Sequence, residues 1–501
     1  MKALSRLCRR AGTLRVSFLL SGASTALCLF TATVAVAHCG SGAPSLQDHA
    51  GDASTQGIDA GATDAGTDAQ PPLDAGPVPV GPIAATMNDV SILFPLPTTA
   101  AENSLLLPPS ASGARGVLLP PALYANPAIG PIAGSTNSGD GGPGTLDPNE
   151  GPAQTSQIAE YSDLRVVAMR IDPCFASLSP DPHGAGCAAQ LRLIFQEITA
   201  STGSFAAADS GLHAFYSLTR DDFLRVAEAL VDLRKANQAG VQLGPLAPHP
   251  IVVQQGLSGA FAKGVEALIL EYAGAQNLVR AAQISSEPNG LAAMWSLSAV
   301  YVTDPLQGAT SPFEIPTLPL DAGVGPLDLD DAGNVVNQTM LAGAGLGSFG
   351  NPDASDEHVL GVSFDPGTTS TDDLTPLAEN PEGISSTQRQ AAFDALVRVE
   401  NPADNSVNTI DCASCHIATV TEENLAKPLF SLDDTTSPLS FQPDGTSVTA
   451  ADMAITFDAT YQQQNGINVH AFSYVDQEPV INQRVVNETA MVVHYLNNLP
   501  Q

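Results

Sequence analysis

Hydrophobic and polar positions alternate along Leu164–Ile171 (LRVVAMRI) and Gln190–Ile198 (QLRLIFQEI), which predicts two strands. The period then lengthens to that of a helix. Thr219 stands as N-cap with Asp221 and Asp222 in the first turn. Phe223, Val226, Ala227, Leu230 and Leu233 follow at helical spacing, and the run ends near Asn237 and Gly240. A second helix is predicted from about Ser258 to Tyr272, with Phe261, Val265, Leu268 and Ile269 on one side. Trp295–Val302 and His358–Phe364 return to strand character. The apolar bursts Ser91–Phe94 and Gly116–Leu119 sit among Pro, Gly, Ala and Ser and predict short strands between long loops. Nearer the C-terminus, a helix capped by Ser385 or Ser386 is predicted through about Val399, another over Ala450–Tyr461, and a last one over about Asn482–Asn498.

The N-terminus has a different pattern. Lys2, Arg6, Arg9, Arg10 and Arg15 form a basic stretch, Val16–Ala37 is apolar, and Ala35-Val36-Ala37 is a small-x-small cleavage site. Residues 1–37 therefore read as a signal peptide. The apolar run is also long enough for an uncleaved anchor. Val36-Ala37-His38-Cys39 resembles a bacterial lipoprotein box, with His38 where that family carries Gly, Ala or Ser. Lipidation at Cys39 would tether the chain to a membrane, and simple secretion is the alternative. Residues 38–85 repeat Asp-Ala with Gly and Thr, a composition with little apolar surface to bury, and are expected to form a disordered linker.

Charge narrows the classes of partner. The chain has 19 basic and 52 acidic residues; the five basic ones named above precede residue 38, so 14 face the same 52 beyond it. Phosphate contacts need Lys/Arg clusters, and this balance excludes nucleic acid. It suits solubility or a basic redox partner protein. Cysteine usage fits an oxidising compartment. Cys8 and Cys28 belong to the signal, and Cys174 and Cys187 bracket a short Pro/Gly-rich loop, where a disulfide would contribute about 3 kcal/mol. Two buried thiols are the alternative for that pair.

Cys412-Ala-Ser-Cys415-His416 has the spacing of a c-type haem attachment site. On a helix, Cys412 and Cys415 share a face with His416, one turn after Cys412. The thiols can then add to two porphyrin vinyl groups while the imidazole reaches the iron. A redox CxxC pair, half of a zinc site and a structural disulfide are the other readings. From about Ser385 onward the chain resembles a single-haem class I cytochrome c domain, over roughly its last quarter. The resemblance implies that Pro428, twelve residues after His416, offers its carbonyl to the histidine Nδ1–H, and that Val492-Val493-His494-Tyr495-Leu496 belongs to a helix crossing the first. Two departures stand out. Asn401-Pro402-Ala403-Asp404-Asn405 interrupts the chain before the motif, and no Met lies between Met453 and Met491, where the family carries its distal ligand. His470 occupies that loop and is the expected sixth ligand; Met453, Met491, His494 or no protein ligand are the alternatives.

The fold class expected is thus α+β. A loop-rich α+β region spans 86–380, matches no known family and is assigned no chemistry; an all-α cytochrome c-like domain follows over 381–501. The function expected is an exported, membrane-tethered electron carrier with covalently attached haem c, in the periplasm or on the outer envelope of a Gram-negative bacterium. A haem-dependent redox enzyme and an envelope binding protein with a structural haem domain are the alternatives.

Overall fold

A computed structural model describes residues 81–126, 160–175, 188–201, 204–208, 210–288, 292–312, 328–329, 335–343, 385–404, 412–423, 432, 437–443, 445–455, 462–463, 466–467 and 470–500. All of them lie in one compact unit, Pro71–Gln501. The signal peptide, Cys39, most of the linker, the strand expected at His358–Phe364, Cys187 and Pro428 fall outside the described residues.

The strands are β1 (Ser91–Leu93), the hairpin β2/β3 (Ser112–Gly113, Gly116–Val117), β4 (Leu164–Asp172), β5 (Ala189–Ser201), β6 (Ser204–Ala207), β7 (Ser210–Leu218), β8 (Leu278–Pro288), β9 (Ala292–Asp304), β10 (Ala309–Pro312), β11 (Asp328–Leu329) and β12 (Val335–Gly343). Ten of them form one sheet, ordered β1-β4-β5-β7-β8-β9-β12-β11, with β6 added on β5 and β10 on β9. Its named pairings are antiparallel; β8 and β9 follow one another closely, whereas β7 and β8 are joined across the helices of residues 219–277.

Alternation gives the sheet two unlike faces. On one, Met169 pairs with Leu193 and Ile171 with Leu191; these lead on to Ala214 and Tyr216 of β7. All six are buried. Helix Arg220–Asn237 packs on β4, β5 and β7, burying Phe223, Val226, Ala227 and Leu230. Its N-cap, Thr219, accepts a hydrogen bond from the Asp222 N–H at 3.0 Å. Helix Ala260–Tyr272 packs against it. Gly264 permits the close approach, since a Cβ there would lie 2.3 Å from the Leu233 side chain.

The other face is covered by the C-terminal part of the chain, and here the expectation of an all-α C-terminal domain is overturned. Strands β13 (Gln462–Gln463) and β14 (Gly466–Ile467) pair with each other, as do β15 (Phe472–Val475) and β16 (Glu478–Ile481). The second hairpin turns through two residues, Asp476 and Gln477, with Asp476 in the left-handed region at φ 53° that such turns need. Gln196 of β5 clamps this hairpin to the sheet. Its Nε2 donates to the Tyr474 carbonyl at 2.8 Å and its Oε1 accepts from the Tyr474 N–H at 2.9 Å. Residues 450–455, expected to begin a helix, form turns and irregular backbone.

Helices Ser386–Val399, Cys412–Thr421 and Gln483–Asn497 complete this layer. The last buries Val486, Ala490, Val493 and Leu496, the face expected from its spacing, and packs on the short helix Met87–Val90. Residues 81–85, read from composition as linker, enter the fold here. The Ile83 N–H donates to the Leu496 carbonyl at 2.9 Å, and Asn497 bonds the Ala85 backbone through both amide atoms.

Candidate functional site

The site is built on two adjacent cross-strand rows of the second face. Register pairs place Ser91, Arg170, Arg192, Phe215, Arg280 and Tyr301 in one row across β1, β4, β5, β7, β8 and β9. Two residues along each strand lies the next row: Leu93, Ala168, Ile194, His213, Ala282 and Ala299. The first row is cationic and aromatic; the second is small and apolar except at His213.

The cations are held in two ways. The guanidinium carbons of Arg192 and Arg280 lie 5.4 and 3.8 Å from the Phe215 ring centre. Arg170 and Arg192 also reach Glu488 of the C-terminal helix, at 2.9 and 3.5 Å, and Arg484 joins the same carboxylate at 2.9 Å. Arg192 further pairs with Asp172. Burial works to raise the Glu488 carboxyl, but Arg484, Arg170 and Arg192 together hold it well below the usual carboxylate range. Arg280 is pushed down to about 10 by burial and by Arg192, and remains charged at neutral pH.

The Cys-x-x-Cys-His segment forms the helix expected of it, Cys412–Thr421. Cys412, Cys415 and His416 are half-buried, and both cysteines are thiols. Cys412 packs against Ala299, as do Ala282 and Tyr301, so a small residue of the second row meets the motif helix where it lies on the sheet. The His416 ring centre lies 6.3 Å from that of His213, with the planes at 48°. His213 is half-buried. Burial, then His416, Arg170, Arg192 and His470, push its imidazole well below its usual range, so it is neutral at pH 7.

The far side of the motif helix is anchored by polar bonds. Thr419 donates to the Glu400 carboxylate and accepts from the Gln483 N–H at 3.0 Å. Asn482 has two tasks. Its Oδ1 caps the C-terminal helix by accepting from the Val485 N–H at 2.9 Å, and its Nδ2 donates to the Cys415 carbonyl at 3.2 Å. Asn482→Ala should therefore lower stability by about 1–2 kcal/mol. A urea titration checks this; an unchanged midpoint would mean that neither bond contributes.

The other expected residues are distributed as follows. His470 is buried at the start of the β15/β16 hairpin, with Nδ1 2.8 Å from the Ser473 hydroxyl. Met453 is part-buried against the core, and Met491 and His494 lie on the C-terminal helix, His494 exposed. Cys174 is disulfide-bonded. Arg170, Arg192, His213, Arg280 and Glu488 were not singled out from sequence. The signal for them was charged or imidazole side chains at alternate positions of otherwise apolar strands.

No family model, characterised protein or solved structure matches the chain. Among the described residues, no group of three or more His, Cys, Asp or Glu is placed to hold a bare metal ion, and no helix is long and apolar enough to cross a membrane. The donor set does fit a porphyrin, which supplies four ligands of its own. Two thiols three residues apart and a histidine share one helical face, turned toward a second imidazole and a row of buried guanidinium groups.

Proposed function

We propose that the chain is an exported c-type cytochrome that carries single electrons. The observation that supports this most is the placing of Cys412, Cys415 and His416 on one helix face, with Cys412 against the small residue Ala299 and His416 opposite His213. Haem c bound there would supply one-electron exchange at iron. In this reading Cys412 and Cys415 would hold the group covalently through their sulfurs and His416 would hold its iron. The Cys415 carbonyl of the motif helix is held by Asn482, and the Arg280 guanidinium sets a positive field beside Cys412. Export, tethering at Cys39 and a basic redox partner are part of the same proposal, resting on the N-terminal pattern and the acidic surface.

The test is the mass of the denatured protein after secretion from a host with haem-maturation machinery. The expected mass is that of the processed polypeptide plus one haem, with an in-gel haem stain at the same position. A mass equal to the bare polypeptide would end this reading.

A further inference from the structure

We infer that His213 of β7 is the second axial ligand, giving the iron two histidines on opposite sides. The inference rests on the haem reading above and adds to it the residue that completes the iron's coordination.

Distance is the first test. An imidazole nitrogen bonds such a metal at about 2.0–2.1 Å. The centre of a five-membered ring with bonds of ~1.35 Å lies about 1.1 Å from each nitrogen. Two imidazoles bound trans to one iron thus have ring centres a little over ~6 Å apart, given those bond lengths. The His213 and His416 rings are 6.3 Å apart. Direct stacking would bring the centres well inside this distance; ordinary packed rings also reach it, as His213–Phe215 and Phe223–Tyr495 do at 6.4 Å, so the distance permits the assignment and placement must carry it further. The 48° angle between the planes is no obstacle, because each ring turns about its own iron–nitrogen bond.

Placement supports the same assignment. His416 stands on a helix and His213 on a strand near the middle of a ten-stranded sheet, between Ile194 and Ala282 in register. A ligand on such a strand is held more closely than one on a loop. Ala282 and Ala299 continue its row across β8 and β9 to the contact with Cys412, and Phe215, two residues along β7, is gripped by Arg192 and Arg280. His470 is buried with its Nδ1 at Ser473, an arrangement that leaves its Nε2 unassigned, and the variants below set it directly against His213. With both axial positions filled by protein, the site suits electron transfer and leaves no iron position for a substrate.

Haem-loaded wild type, His213→Ala, His213→Met and His470→Ala decide the matter by optical and electron paramagnetic resonance spectra and by carbon monoxide binding to the reduced form. Wild type should be low-spin and should not bind carbon monoxide. His213→Ala should become high-spin, bind carbon monoxide, and return to low-spin when imidazole is added. His213→Met should be low-spin with a raised potential and the ferric sulfur-to-iron band that wild type lacks. His470→Ala should match wild type. A low-spin His213→Ala, or a high-spin His470→Ala, would overturn the assignment while leaving covalent haem in place. Should the His213 variants fail to fold, a sulfur-to-iron band in wild type itself would overturn it. Wild type without covalent haem would instead remove the underlying reading, and this assignment with it.

Discussion

Glu488→Ala is expected to lower folding stability by about 3–5 kcal/mol, the range for removing one partner of a buried charge cluster. The carboxylate has only 12% of its side chain exposed and stands among Arg170, Arg192 and Arg484. Without it, three guanidinium groups lose the carboxylate they share, and the C-terminal helix loses its ion pairs to Arg170 of β4 and Arg192 of β5. The pH dependence has a definite sign. Because the folded-state carboxyl is depressed, its stabilisation is complete above the unfolded glutamate value of about 4.3 and is lost as pH falls below it. Urea unfolding of wild type and variant should therefore differ most near neutral pH and converge in acid. A difference below about 1 kcal/mol at pH 7 would mean that the cluster is solvated like a surface pair.

Replacing both motif cysteines, Cys412→Ser with Cys415→Ser, should reduce covalently retained haem from one per chain to none. Each single variant should keep it through the remaining thioether. The loss should be chemical rather than structural. Cys412 contributes a small apolar contact to Ala299, and the polar anchors of the helix run through Thr419 and the Cys415 carbonyl, which the substitutions leave intact. Far-ultraviolet circular dichroism should stay that of the wild-type chain. A double variant that still carries haem after denaturation would place the attachment elsewhere.

How legible was all this beforehand? The motif triad could be read because its chemistry depends on residue identity at fixed local spacing, and a helix delivers that spacing without help from the rest of the fold. Helix Arg220–Asn237 was legible for a similar reason: Thr219, the first-turn acids and the apolar stripe all act within a few residues. Strands β4 and β5 showed their alternation, but nothing local said that Arg170 and Arg192 would share a row with Arg280. That depends on register, and their counter-ion Glu488 lies 318 residues beyond Arg170. His213 was hidden in the same way, since alternation assigns it a face but not the helix that covers that face.

The expectation of an all-α C-terminal domain came from resemblance around the motif and the last helix, not from periodicity in between. Phe472-Ser473-Tyr474-Val475 does alternate, but its turn, Asp476-Gln477, lacks the glycine that usually marks a two-residue hairpin, and Pro479 interrupts the returning strand. What stabilises the hairpin is Gln196, nearly 280 residues earlier, through bonds that no window of sequence contains.

The chain enters its fold at Ile83 and Ala85 beneath Leu496 and Asn497, a separation of 412 residues between Ala85 and Asn497. Contacts so distant in sequence form late, because the intervening polypeptide must be ordered first. Closure of this end of the molecule thus waits for the helix Gln483–Asn497, and residues 81–85 have no backbone partner there until it is in place.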